Sequence, residues 1–153
     1  MRKLWNTGLI NLDVKYRSGI SLYFGENVEK EIKRANICFV RWLRKNYYFP
    51  RHINVFYTST KKVTAYSGAK VYSWSFFPDC SYYNPFIEIA VGDYFNSLKV
   101  NGKDNALAES LHSLSYELSL YFQWIKGMES NKKQARYYGE NIVWDYAKTR
   151  EHP

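Results

Sequence analysis

A chain of 153 residues falls within the range of one domain and is long enough to bury an ordinary core without disulfide or metal staples. Its 22 lysines and arginines against 14 aspartates and glutamates leave a formal charge of +8, a balance that favours nucleic acid or another acidic surface only where the charge is gathered on one face. No apolar run is long enough to span a membrane, and Cys38 and Cys80 lie far apart without a CxxC spacing, which fits idle or buried thiols in a reducing compartment better than a disulfide scaffold.

The chain opens with Arg2 and Lys3, but Asn6, Gly8, Asn11 and Asp13 interrupt the next apolar stretch before it can form a signal-peptide core. The cytoplasm is the expected location. Residues 1–25 are read as an extension ahead of a core over 26–150, the whole forming one domain. From Asn27 to about Asn46, Val28, Ile32, Ala35, Phe39 and Trp42 or Leu43 recur at three- and four-residue steps, which predicts an amphipathic helix with Pro50 beyond its exit. Lys30, Lys33, Arg34, Arg41, Arg44 and Lys45 fill the other face of that helix. Together with Lys61 and Lys62 in a turn and Lys132, Lys133 and Arg136 further on, they read as solvated faces rather than a nucleic-acid footprint, and no standard nucleic-acid module is recognisable.

Ile53 to Tyr57 is a short strand, followed by the polar turn Thr58 to Lys62 and a further extended stretch from Val63 to Tyr66. After Gly68, Ala69 to Phe76 alternates small or polar with large apolar residues, the period of a strand with one buried face, and a meander is the expected connection. A loop from Phe77 to Pro85 leads to the strand Phe86 to Val91, closed by Gly92 and Asp93. The aromatic share of 19% is read first as packing with polar handles and only second as stacking platforms for nucleic acid.

Helix returns from about Lys103 to Lys126, with Leu107, Leu111, Leu114, Leu118, Phe122 and Ile125 as one stripe, Asp104 or Asn105 as cap and Gly127 as stop. A last helix from about Ser130 to Lys148 turns Ala135, Tyr138, Ile142, Val143 and Tyr146 inward. The expected class is α+β, a sheet covered by helices.

Opposite the leucine stripe the long helix carries Tyr116, Glu117, Leu120 and Trp124, and the first three are helical neighbours. A carboxylate on the inward side of a core helix needs a partner or carries a desolvation penalty, so Glu117 is the residue hardest to explain as scaffold. The run Tyr116-Glu117-Leu118-Ser119-Leu120-Tyr121-Phe122-Gln123-Trp124 resembles the "H-E-hydrophobic-x-H-Y-x-Q-W" run of small gluzincin-type zinc metallopeptidases, the minigluzincins. The resemblance continues upstream through the strands at Ile53 to Tyr57, Gly68 to Phe76 and Pro85 to Gly92, and downstream through Gln134 to Tyr138 and Ile142 to Tyr146.

That resemblance implies a zincin-like fold: a mostly antiparallel twisted sheet, an N-terminal helix, a motif-bearing long helix and a C-terminal helix. It implies that Glu88, Ile89 and Ala90 form the edge on which an extended peptide lies, facing a cleft lined by Tyr116, Leu120 and Trp124. The intact motif holds Zn²⁺ with two imidazoles one turn apart and a third ligand, and a glutamate at the Glu117 position deprotonates the bound water. Here Tyr116 and Leu120 replace both histidines, and the acidic third ligand maps to Gln134 or is displaced to Glu129. His112, one turn before Tyr116, is the remaining weak candidate for a metal, while His52 and His152 read as surface residues.

The expectation is a catalytically inactive homologue without a metal cofactor, binding a polypeptide in the relic cleft. Two alternatives stand beside it: a metallopeptidase with unconventional ligands, and a basic nucleic-acid binder whose affinity would fall steeply with salt.

Overall fold

The computed structural model describes residues 19–80 and 82–153. Its first element is a strand, β1 (Ile20–Phe24), which turns Ile20, Leu22 and Phe24 towards the core. The core therefore begins before residue 26. What fixes β1 is its pairing with a later segment. The rest of the expected extension, residues 1–18, lies outside the described residues, and so does the stretch tested for a signal peptide.

The first helix, α1 (Lys30–Asn46), buries Ile32, Ala35, Phe39, Val40 and Leu43 as the periodicity predicts. It starts three residues late, because Asn27 adopts a left-handed φ of 64°. α1 carries the chain back across the sheet, so β2 (Ile53–Thr58) runs parallel to β1, with Ile20 opposite Ile53 and Phe24 opposite Tyr57. A parallel pair requires such a crossover.

The alternating run after Gly68 is divided in two. β3 (Val63–Thr64) and β4 (Lys70–Val71) close a small antiparallel hairpin through Gly68, whose φ is 88°, and β5 (Ser73–Phe76) leaves for the main sheet. With β6 (Phe86–Ala90) the strand order is β1-β2-β6-β5, in which only β5 and β6 are antiparallel. The domain is α+β, but the sheet is mixed rather than mostly antiparallel, and no meander forms. The reason lies in side-chain content: Phe86-Ile87-Glu88-Ile89-Ala90 is nearly all apolar and suits a strand flanked on both sides. Ser73-Trp74-Ser75-Phe76 carries polar groups on its inward face and takes the edge.

After β6 come α2 (Tyr94–Asn101), α3 (Lys103–Ile125) and α4 (Lys132–Ala147). α2 buries only Tyr94 and Ser97, too little for a readable stripe. α3 starts at Gly102, φ 82°, without a side-chain cap. Neither expected capping residue serves: Asn105 Nδ2 donates to the Asn101 carbonyl at 3.0 Å, and Asp104 meets His152 at 2.8 Å. Gly127 ends α3 as expected, with φ 69° and its N–H on the Trp124 carbonyl.

The inner face of the sheet, with Ile53, Val55, Tyr57, Ile87 and Ile89 at most 1% exposed, packs on α1 and α3. Each such aliphatic side chain contributes about 1.5–3 kcal/mol by leaving water. α4 lies along α3 at close range: a Cβ on Gly139 would stand 2.9 Å from the backbone nitrogen of Tyr116. Among the described residues no helix is long and apolar enough to cross a membrane.

Candidate functional site

Because α3 repeats every 3.6 residues, positions four apart form a row, and His112, Tyr116, Leu120 and Trp124 are the half-buried row between the core face and solvent. Glu117 lies one step inside this row and is only 2% exposed. Its partner is on β5: Ser73 Oγ donates to Glu117 Oε2 at 2.7 Å. Burial pushes the Glu117 carboxyl above the usual carboxylate range, while hydrogen bonds from Ser73 and Ser75 and the charge of Lys132 pull it back.

The register explains why serines reach this carboxyl. Ser73 stands opposite Ile89 and Ser75 opposite Ile87, both buried, so the two hydroxyls share the inward face. The backbone alternates the other way. The Tyr72 carbonyl accepts from Ala90 N–H at 2.8 Å, so residues 72, 74 and 76 bond towards β6, and the N–H and C=O groups of Ser73 and Ser75 point to the open side. Among the described residues β5 has no second strand neighbour.

This corrects the expected edge. Glu88, Ile89 and Ala90 belong to β6, which is paired with β2 on one side and β5 on the other. Ile89 is fully buried, Glu88 and Ala90 are half-buried, and Ala90 lines the cleft between Tyr72 and α2. Trp124 is also drawn off the cleft. It stacks on Phe77 at a centroid distance of 5.3 Å and lies under the Arg51 guanidinium at 5.0 Å. Tyr116 remains beside Glu117, and Leu120 follows one turn on.

Beside Tyr72 and Ser73, at the start of β5, lies a groove made of two adjoining clefts. One, of about 430 Å³, lies between Ser73, Tyr116 and the α4 residues Arg136, Glu140 and Trp144. The other, of about 440 Å³, lies between Tyr72 and α2; His112 and Ser113 line both. Burial lowers the His112 pKa against the opposing charge of Glu140. Burial, then the charge of Glu117, raises the Tyr116 phenol, with Arg136 acting against both. Ser73 and Ser75 were visible in the sequence as the polar half of an alternating run. Arg136, Glu140 and Trp144 were visible as a row four residues apart, though nothing in the sequence paired them with β5.

Zinc does not fit these residues. Tyr116 presents a neutral phenol, Leu120 has no donor atom, and the amide of Gln134 is engaged elsewhere: its Oε1 accepts from Gln123 Nε2 at 3.0 Å. Its backbone N–H goes to Asn131 Oδ1, the cap of α4. Glu129 is exposed between α3 and α4. Among the described residues no three or more His, Cys, Asp or Glu gather closely enough to hold a metal ion, so His112, Glu129 and Gln134 do not make a site. A single carboxylate does not replace the nitrogen, thiolate and carboxylate ligands that Zn²⁺ takes. His52 bonds Ser21 at 2.9 Å and His152 bonds Asp104, both at the surface. Cys38 and Cys80 are free thiols, Cys38 half-buried and Cys80 exposed.

Compared with known proteins, the chain matches no family model, no curated protein and no solved structure.

Proposed function

We propose that the domain binds an extended polypeptide segment along β5 and does not hydrolyse it, as a catalytically inactive relative of small zinc metallopeptidases. The observation that carries this reading is a strand edge without a strand partner among the described residues, which begins beside the two clefts and next to the buried Glu117, where Tyr116 and Leu120 offer zinc no ligand. A segment entering the groove pairs its main chain with the outward N–H and C=O groups of Ser73 and Ser75, and its side chains reach the two clefts. Glu117 is set among Ser73, Ser75 and Tyr116, and Ser73 Oγ donates to its Oε2 at 2.7 Å. That bond ties α3 to β5 beside the groove.

The test uses the isotope-labelled protein and a Thr-Val repeat peptide. The expected result is saturable shifts of the Ser73 and Ser75 amide signals, lost when alternate peptide nitrogens are methylated, with no cleavage products by mass spectrometry with or without added Zn²⁺. Cleavage abolished by Glu117→Gln, or uptake of one zinc equivalent abolished by His112→Ala, would return the chain to the active peptidases.

A further inference from the structure

We infer that the cleft between α2 and α3 receives a lysine or arginine side chain of the segment bound along β5. The inference rests on the polypeptide-binding reading and names which segments the groove selects.

The cleft has the floor of an apolar pocket and the rim of an acidic one. Ile32, Val91 and Ala106 supply the floor and are at most 9% exposed. Asp93 and Glu109 stand in the wall. Among the described residues no lysine or arginine lines the cleft, and burial lowers the pKa of its histidine, His112. The cation at the rim, Lys62, is placed over the Tyr72 ring at 5.3 Å from its centroid.

Both carboxylates are placed for a ligand. Asp93 occupies the N-cap position of α2 but makes no capping hydrogen bond with its side chain. Glu109 is oriented by a hydrogen bond from Ser97 Oγ to its Oε1, and Ser97 is 4% exposed. The field at this end is negative as well. Burial first, then the charges of Glu31 and Glu29, hold the Tyr94 phenol above its usual range, with only Arg34 opposing them. Glu31 itself is engaged by Arg34 at 2.7 Å, so the carboxylates that line the cleft are Asp93 and Glu109.

A volume of about 440 Å³ lies in the range of ligand pockets, which runs from about 300 to 1,000 Å³. An uncharged apolar side chain would fill the floor but leave two carboxylates partly desolvated beside it. A lysine or arginine lays its methylene stem on Ile32 and Val91 and brings its charged head to Asp93 and Glu109.

The test compares three fluorescein-labelled Thr-Val repeat peptides that differ at one central position, lysine, norleucine or glutamate, by fluorescence anisotropy at low salt. Lysine is expected to bind about tenfold tighter than norleucine, the size of one charge-assisted hydrogen bond, and glutamate weaker than both. In the D93N/E109Q double variant the lysine and norleucine peptides are expected to bind alike. Asp93→Asn alone, at a position without a capping bond, serves where the double variant does not fold and removes part of the preference. Equal binding of lysine and norleucine by the unchanged protein overturns the inference and leaves the groove reading intact. A lysine preference that survives the double variant places the cation elsewhere and also overturns it. Failure of all three peptides to bind removes the groove reading, and this inference with it.

Discussion

Two buried polar side chains sit on opposite flanks of α3, and they are finished differently. On the α1 side Asn36, fully buried, donates to the Ile32 carbonyl and to Ser110 Oγ, each at 2.9 Å, and accepts from the Tyr57 hydroxyl at 2.8 Å. Every group in that knot is neutral, and burial raises the Tyr57 phenol far above its ordinary value. On the β5 side Glu117 is almost as deeply buried, but its partners are hydroxyls of an edge strand, and its charge state is set by an unfavourable burial that Ser73 and Ser75 only partly offset. Burial alone therefore does not separate scaffold from site. A polar group whose partners use up its capacity is structural; one left titratable beside a groove is where function is sought.

The largest expected effect lies in the closed knot. Asn36→Ala leaves the Tyr57 hydroxyl, on a side chain 1% exposed, without its acceptor and opens a small cavity between α1 and α3. We expect a loss of about 2–4 kcal/mol in urea denaturation, with peptide binding retained wherever the variant is folded. A loss below about 1 kcal/mol would mean that water takes over the bonds, and the contrast between the flanks would weaken.

The next effect lies in the seam that orients the groove face of α3. Gly139→Ala places a methyl 2.9 Å from Tyr116 N, a backbone atom that cannot rotate aside. Alanine favours the helix by about 1 kcal/mol over glycine, but overpacking against a rigid neighbour costs about 1–3 kcal/mol, so the net change is destabilising. Thermal unfolding measures it. Because α4 and α3 separate at Tyr116, the affinity for the Thr-Val peptide falls as well, unlike in Asn36→Ala. A more stable variant with unchanged binding would show that the seam does not set the groove.

How much of this was legible from the residues follows from range. α1, α3 and α4 announce themselves because their stripes are local, as the buried Leu107, Leu111, Leu114 and Leu118 show. α2 has no stripe, and β1 becomes a strand only by pairing with β2. Strand order is set by competition among segments: the apolar β6 takes the interior and displaces β5 to the edge, so Glu88, Ile89 and Ala90 were read in the right sheet but at the wrong position. Glu117 was found because a carboxylate on an inward helix face is anomalous in the sequence itself. Its partners Ser73 and Ser75, and the neighbours Arg136 and Glu140, come from other elements, and only the fold brings them together.

The smallest effect is read from its sign. In the folded chain the Glu117 carboxyl titrates above its ordinary value of 4.5, because burial outweighs the serine hydrogen bonds. Over the window that opens near this ordinary value, the folded state keeps a proton that the unfolded state has lost. The contribution of Glu117 is therefore fully present below the unfolded pKa and is lost as pH rises through the folded one. Glu117→Gln keeps an acceptor for Ser73 Oγ and has no proton to lose, so it lacks this slope. The two proteins should be closest in stability near pH 4, and the variant should gain on the parent as pH rises to about 8, as urea denaturation at four or five pH values would show. Parallel curves would mean that Glu117 titrates like a solvated carboxyl, open to water in the groove. A parent that gained on the variant with rising pH would place an unseen cation against Glu117, and the carboxylate would then be a paired structural group like the knot at Asn36.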